Sequence, residues 1–127
     1  NYFPTSCYDT ILKNKKVGLH TLVLLDVKPP KRMETDKVGF DQCMSVKDGL
    51  EVLLEIEKSA LLEKGLRSQN LFTENTFLVA ASNIGSEKQK IKYGKVKDLL
   101  KENFGTPAVL VLPGELNFVE KEFLGKL

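Results

Sequence analysis

The chain has 127 residues, of which 42% are hydrophobic and 28% are charged, and its 19 basic and 17 acidic residues leave a net charge of +2. This length and composition predict one folded domain with its own core and exclude a disordered chain. The near balance of charge gives no electrostatic reason to expect nucleic acid or an acidic membrane surface as a partner. The apolar runs are too short to cross a bilayer.

The cysteines and the start of the chain indicate where the protein works. Cys7 and Cys43 do not have the spacing of metal ligands, and no secretory leader precedes them. We therefore expect a cytoplasmic protein with two reduced thiols. The chain opens at Asn1 without an initiator methionine, so it is either processed or part of a longer polypeptide.

The first half of the chain predicts a helix, a strand and a second helix. A short helix over residues 6–14 would place three apolar side chains on one face, Tyr8, Ile11 and Leu12, before a C-cap at Gly18. The continuous apolar run in residues 19–27 predicts a strand that is buried on both faces. Residues 28–43 predict an exposed loop. A helix should then begin at Ser45, bury Leu50, Leu53 and Leu54, and end near Gly65.

The second half continues the alternation of strands and helices. Strands are predicted over residues 77–81 and 108–112, and a helix over residues 96–103 with Gly105 as its C-cap. A tail helix over residues 117–124 would have three residues as its apolar face, Phe118, Val119 and Phe123. The lysines among residues 88–101 favour a solvated helix face. The whole predicts an α/β fold, a layered sheet with flanking helices.

Ligands of open α/β sheets bind beyond the carboxyl ends of strands, and three such ends are visible: Leu25-Asp26, the turn Ser82 to Ser86, and Pro113-Gly114. Small residues there let a backbone approach a ligand, although glycines that only make turns are the favoured interpretation. The single histidine, His20, lies in an apolar context and is expected to be structural rather than a general base. Neither a catalytic triad nor a metal site is predicted.

One stretch of ten residues is similar to the signature sequence of a known protein family. Residues 18–27, GLHTLVLLDV, are similar to the GLHTLLLLDI signature of diphthine synthases. The upstream YFPTS at residues 2–6 resembles that family's WFPTS segment. Further matches follow in order along the whole chain, apart from an insertion at residues 28–43: Met44-Ser45, Ile84-Gly85-Ser86, Lys97-Asp98-Leu99, Pro113-Gly114 and Phe118-Val119-Glu120.

The resemblance implies a methyltransferase of the tetrapyrrole methylase superfamily, which has two α/β domains and binds S-adenosyl-L-methionine between them. Residues 1–127 would be its C-terminal domain, and the N-terminal domain would lie upstream of this chain. It further implies methylation of the modified histidine of translation elongation factor two in diphthamide biosynthesis, S-adenosyl-L-homocysteine as product, and a homodimer.

Carried over by position, the family's cofactor contacts fall on Leu25, Ile84 and Ala108. Ile84 stands where the family has alanine, and Ala108 and Asn117 stand where many members have histidine. Backbone contacts would survive such changes, whereas a side-chain contact at Ala108 would not. Two alternatives therefore stay open: a non-catalytic interaction or dimerisation module derived from the same fold, and a generic α/β binding domain.

Overall fold

Four helices and four strands form in the parts of the chain that the computed structural model describes, residues 6–25, 44–63 and 72–127. Their bounds are α1 Ser6–Lys16, β1 Thr21–Leu24, α2 Val46–Glu63, β2 Phe77–Ser82, β3 Lys90–Lys95, α3 Val96–Leu99, β4 Ala108–Leu112 and α4 Phe118–Leu124. The predicted α/β architecture is confirmed. The predicted loop over residues 28–43, Asp26 and Cys43 lie outside the described residues.

Helices α1 and α2 form as their apolar spacing predicts. Ser45 caps α2, because its Oγ accepts the backbone N–H of Asp48 at 3.1 Å. Leu50 and Leu53 are buried in the core, and Leu54 packs partly buried against it. Gly18 follows α1 with φ of 78°, the left-handed conformation expected of a helix-ending glycine. Helix α1 extends two residues beyond the predicted end at Asn14.

One pair of polar groups joins α1 to α2 inside this core. Tyr8 and Glu57 are both buried, and their side chains form a hydrogen bond. Burial, followed by that hydrogen bond, raises the pKa of Tyr8 well above its usual range. The phenol therefore stays protonated and acts as a fixed donor between the two helices.

The sheet has the strand order β1-β4-β2-β3, and every neighbouring pair is antiparallel. Strands β1 and β2 consequently run in the same direction on either side of β4. Side chains of alternate residues on these strands turn towards α1 and α2, and those residues form the core with the helices: Thr21, Leu78, Ala80, Leu110 and Leu112.

Strand β1 does not have the predicted burial on both faces. It is the outermost strand on its side of the described sheet, and Leu22 and Leu24 are 60% and 73% exposed. The expectation was wrong because an apolar run signals two apolar faces and does not show that both are covered. The strand is also shorter than predicted, spanning Thr21–Leu24.

Strand β3 was not predicted, and the predicted helix over residues 96–103 is shortened to α3. The sequence of Lys90–Lys95 alternates polar and apolar residues only from Lys90 to Tyr93, and it lies in the lysine-rich stretch that was assigned to a helix face. The lysine-rich stretch is therefore partly an edge strand instead of a helix face. Leu100, not Gly105, is the C-cap of α3.

Helix α4 lies where the sequence predicts it, but its apolar residues do not enter the core. Phe118, Val119 and Phe123 remain exposed. The helix is set by its cap: Asn117 Oδ1 accepts the backbone N–H of Glu120 at 2.9 Å, and the Glu120 carboxylate accepts the N–H of Asn117 at 3.2 Å. This capping box can fix a short helix that buries little of its own surface.

Candidate functional site

Two of the three residues expected to contact a cofactor lie side by side at one edge of the sheet. Ala108 pairs with Ser82 of β2, and the next residue of β4, Val109, pairs with Leu24 of β1. Leu25 therefore follows β1 at the level of Ala108. The carboxyl ends of β1 and β2 are about 10 Å apart, two strand spacings, with the start of β4 between them. We call this end of the sheet, formed by the carboxyl ends of β1 and β2 and the start of β4, the β2 edge.

The side chains of Leu25 and Ala108 are buried on the helix side of the sheet. Helix α2 closes over Leu25 through Gly49, where a β-carbon would lie 2.5 Å from Leu25 Cδ2. Only the main chain of these two residues can therefore be offered to a ligand. Ile84, two residues beyond β2, is 62% exposed and presents its side chain to solvent.

The third strand end falls elsewhere. Because β4 runs opposite to β1 and β2, Pro113 and Gly114 lie at the other edge of the sheet, beside the start of β1. Pro113-Gly114 is therefore not part of the β2 edge. The sequence does not show how these strands pair, so it does not reveal their relative directions.

Asn83 shapes the β2 edge, and the sequence analysis did not single it out. It has φ of 51°, its side-chain Nδ2 donates to the carbonyl of Thr106 at 2.8 Å, and its backbone N–H donates to that of Pro107 at 3.0 Å. A β-carbon on Gly105 would collide with its amide. Asparagine tolerates the left-handed region, so an Asn two residues before Gly in a strand-ending turn was the available signal.

The turn that follows leaves its backbone open. The Gly85 N–H donates to Gln89 Oε1 at 2.7 Å, and Ser86 Oγ donates to the Asn83 carbonyl at 2.8 Å. Gly85 has φ of 87°, and no atom lies within 4 Å of the position that a β-carbon would occupy. The turn is thus held internally while a ligand can approach its main chain.

A buried hydroxyl lies beneath the same edge. Ser82 is fully buried, and its Oγ has no hydrogen-bond partner among the described residues. Buried polar groups in native proteins nearly always have a partner. An unsatisfied hydroxyl beside Ala108 and the open turn is compatible with a polar ligand group at the β2 edge.

At the opposite edge, His20 connects three elements, which agrees with the structural role expected of it. Its Nδ1 accepts the Gly114 N–H at 2.8 Å, and its Nε2 pairs with the Glu120 carboxylate. The hydrogen bond from the Asn117 backbone, and then the contact with His20, hold the pKa of Glu120 below its usual range. His20 therefore ties β1, the end of β4 and α4 together.

A groove of about 350 Å³ lies between α4 and the sheet, next to His20 and away from the β2 edge. Its walls are apolar apart from the His20–Glu120 pair. The lining residues are His20, Val79, Val111, Pro113, Leu116, Val119, Glu120, Phe123 and Leu124.

Within the described ranges, no group of three or more His, Cys, Asp or Glu side chains could hold a metal ion. In the same part of the chain, no helix combines the length and apolar character needed to cross a membrane.

The comparisons with known proteins point to one kind of enzyme. A diphthine synthase from Methanococcus vannielii is 41% identical over 125 residues, which are 98% of this chain and 43% of that protein. A diphthine synthase from Methanocaldococcus jannaschii is 38% identical over the same shares. The chain matches part of a diphthine synthase. It spans less than half the length of these relatives, and no protein-family model matches it.

Solved structures agree with this similarity. An Entamoeba histolytica protein assigned to the diphthine synthases superposes with a TM-score of 0.76 at 32% identity, over 98% of this chain and 45% of that one. A second diphthine synthase superposes with a TM-score of 0.70 over 98% of this chain and 41% of its own, and its 21% identity supports the fold alone.

Proposed function

We propose that this chain is the C-terminal half of a diphthine synthase, a methyltransferase, and that its β2 edge forms one wall of a cleft for S-adenosyl-L-methionine. The observation that supports this most directly is the 41% identity to a diphthine synthase over 98% of the chain. Leu25, Ile84 and Ala108, the positions that correspond to the family's cofactor contacts, lie on or just beyond one edge of the sheet.

The residues of the β2 edge suit a flat, polar ligand that is held mainly by the backbone. Leu25 and Ala108 are buried, so they would contribute main-chain groups. Ile84 would contribute an apolar surface for a ring, and the open backbone at Gly85 permits close approach. Ala108 has no polar side chain, so the substitution from histidine removes any side-chain contact there but leaves the backbone in place.

The bound cofactor would supply the methyl group, which an acceptor displaces from the sulfonium to leave S-adenosyl-L-homocysteine. The part of the chain described here would bind and orient the donor, and the Asn83 contacts would keep the turn rigid. Such a displacement depends on alignment of donor and acceptor, so it does not require an acid–base pair.

The proposal extends to the biological setting. The methyl acceptor would be the modified histidine of translation elongation factor two, a step of diphthamide biosynthesis in the cytoplasm. The protein would act as a homodimer, without nucleic acid or membrane. The chain alone would fold but would bind S-adenosyl-L-methionine weakly or not at all, because half of the cleft would be missing.

Calorimetric titration with S-adenosyl-L-homocysteine tests the proposal. The chain alone should give no saturable heat, whereas a chimera that adds the remaining part of the Methanococcus vannielii protein should bind. Ile84→Asp in the chimera should weaken binding at least tenfold. Val17→Asp is the control and should not weaken it, because Val17 is an exposed residue in the turn that precedes β1, away from the β2 edge. A folded chimera that does not bind the ligand would contradict the proposal, and tight binding by the chain alone would contradict the need for the missing half.

The alternative of a non-catalytic interaction module has one observation in its favour. Apolar residues of β1 and α4 are exposed, as in a surface that other protein covers. The same chimera separates the two functions, because an interaction module would not bind the cofactor even with the upstream half restored.

A further inference from the structure

Positive charge is concentrated in one stretch of the chain. Residues 88–101 contain six lysines and one aspartate, a net charge of +5, so the rest of the chain carries −3 out of the total of +2. A local excess of this size acts on a charged partner, and the near balance of the whole chain does not reveal it. The lysines lie in the turn before β3, on β3, and on or just after α3: Lys88, Lys90, Lys92, Lys95, Lys97 and Lys101.

Within the described residues, Lys90 is the one member of this group that forms an ion pair. Its Nζ donates to Glu102 Oε2 at 2.7 Å and to the carbonyl of Asn103 at 2.8 Å, and it lies 4.8 Å from the centroid of the Phe104 ring. The contact with Glu102 also shows that the chain after α3 returns alongside β3. The other five lysines, which have no carboxylate partner in the described parts and are exposed apart from the half-buried Lys95, therefore surround this side of the sheet. We call them the basic patch: Lys88, Lys92, Lys95, Lys97 and Lys101.

Protection of a strand edge explains only part of the basic patch. Strand β3 is an outermost strand of the described sheet, and lysines on it discourage pairing with a second copy because like charges would lie opposite each other. Lys92 and Lys95 suit this role. Lys97 on α3, Lys101 after it and Lys88 in the turn are not on a strand, so edge protection gives no reason for their charge. Like charges held close together repel, and a partner of opposite charge removes that repulsion.

The basic patch begins at the β2 edge. The turn that leaves β2 at Asn83 leads to Lys88, whose backbone N–H donates to Ser86 Oγ at 3.1 Å. Strand β3 then starts opposite Ser82 and runs away from the β2 edge over six residues, a distance of roughly 20 Å. A ligand that lies along β3 would therefore have one end beside the turn that the proposed cofactor approaches.

We propose that the basic patch binds an acidic, extended segment of another protein along the open side of β3. The backbone of an outermost strand offers hydrogen bonds to a second extended main chain, and carboxylates on that chain would lie opposite the lysines. Single-stranded nucleic acid instead requires aromatic rings on which its bases stack. Here Lys90 covers the ring of Phe104, and the rings of Phe77 and Tyr93 pack on each other at 5.4 Å. The surroundings of the patch therefore favour a peptide.

The acidic segment belongs to the protein that carries the methyl acceptor. This identification rests on the proposed function, whereas the binding of an acidic segment does not. A segment held along β3 leaves the β2 edge free for the cofactor, so the basic patch contributes to capture of the acceptor protein and not to the methyl transfer itself. Loss of the patch should consequently raise KM for that protein without lowering kcat.

Fluorescence anisotropy with a labelled peptide of about twelve glutamates, at about 50 mM salt to limit screening, tests the proposal. The wild-type chain should bind the peptide saturably. Lys92→Glu combined with Lys97→Glu should weaken binding by about fivefold or more, with an unchanged circular dichroism spectrum because both side chains are exposed. Lys92→Arg combined with Lys97→Arg keeps the charge and should preserve binding. Lys13→Glu combined with Lys16→Glu is the matched control, because it makes the same change of charge on α1, which packs beside β1 at the other side of the sheet.

The outcomes separate a specific surface from a general attraction between opposite charges. Equal weakening by the α1 control would show that the peptide responds only to net charge and would contradict the proposal, as would a wild-type chain that does not bind the peptide. Tighter binding of an oligouridine of the same length, with the same dependence on Lys92 and Lys97, would mean that the patch serves nucleic acid, and the proposal would be wrong.

The chimera with the upstream half tests the role of the patch in the reaction. Lys92→Glu combined with Lys97→Glu should raise KM for the acceptor protein by about fivefold and leave the affinity for S-adenosyl-L-homocysteine unchanged. Methylation with an unchanged KM would contradict the docking role alone. A chimera that does not bind S-adenosyl-L-homocysteine, while the chain still binds the acidic peptide through the patch, would contradict the proposed function and support the acidic partner.

Discussion

The backbone N–H of Gly114 donates a hydrogen bond to Nδ1 of His20 over 2.8 Å, which joins residues 94 positions apart. Because Nδ1 accepts, the ring proton lies on Nε2, which donates to the Glu120 carboxylate. One imidazole therefore satisfies a donor after β4 and an acceptor on α4. The position of α4, and with it the groove, depends on this link.

Replacing His20 with alanine should lower the free energy of unfolding by about 1–2 kcal/mol, because two hydrogen bonds are lost and the Gly114 N–H must find water. Urea denaturation followed by circular dichroism measures this change. Lys16→Ala, at an exposed residue of α1, is the control and should change stability little. Equal stability of His20→Ala and wild type would mean that α4 is held by its apolar contacts alone.

The stability of the protein should fall with acid in a way that depends on Glu120. Its pKa is lowered in the folded state, first by the Asn117 N–H and then by His20, so the carboxylate stabilises the fold above its usual pKa of 4.5. That contribution is lost as the pH falls from about 5 through the folded pKa. The melting temperature of Glu120→Gln should therefore decline less steeply than that of wild type over this window.

Glu122→Gln removes an exposed carboxylate from the same helix and serves as the control for this pH dependence. Its melting temperature should follow the wild-type curve. Identical acid profiles for Glu120→Gln and wild type would show that the capping box and the His20 contact add no stability in solution.

Gly114 and Gly125 offer a matched pair of substitutions. A β-carbon on Gly114 would collide with the backbone at Gly18 and Leu19, and since backbone atoms cannot move aside cheaply, Gly114→Ala should cost about 1–3 kcal/mol. Gly125 has φ of −62°, and its nearest new contact would be an ordinary 3.4 Å. Gly125→Ala should therefore be neutral or stabilising by less than about 1 kcal/mol. Thermal unfolding compares the two, and equal melting temperatures would contradict the close approach at Gly114.

Two substitutions of Asn83 separate its backbone role from its side-chain role. Asn83→Ala loses the hydrogen bond to Thr106, and alanine tolerates φ of 51° less well than asparagine, so we expect a loss of about 2 kcal/mol. Asn83→Gly loses only the hydrogen bond and should cost about 1 kcal/mol. Chemical denaturation measures both, and an equal loss would mean that the backbone conformation carries no strain.

The elements that were predicted correctly are those that are specified by local sequence signals, such as a helix cap or a helix-ending glycine. Ser45 with an apolar stripe gives α2, and Gly18 ends α1, because a cap and a left-handed glycine act locally. Strand β3 was missed because its alternation of polar and apolar residues, Lys90 to Tyr93, is only four residues long and lies among lysines that were assigned to a helix face. Burial of β1 was wrong because Leu22 has the same pattern whether its partner is the domain itself or another protein.

The candidate site was harder to predict, because it is formed by residues that are far apart in the sequence. Leu25 and Ala108 are 83 positions apart in the sequence, and only the antiparallel course of β4 between β1 and β2 makes them neighbours. Because β4 runs antiparallel to both strands, Pro113-Gly114 at its carboxyl end lies at the opposite end of the sheet. Asn83 was missed because its main partner, the Thr106 carbonyl, is a backbone group that leaves no trace in the sequence.

Gly49 in the first turns of α2 has a consequence for how this protein can change. A glycine inside a helix lowers the stability of the fold by about 1 kcal/mol relative to alanine. However, the β-carbon of an alanine at position 49 would clash with the side chain of Leu25. A smaller residue at position 25 would remove this clash and allow alanine, which favours the helix more than glycine does, at position 49. We therefore expect positions 25 and 49 to vary together among homologous proteins, with volume gained at one matched by volume lost at the other.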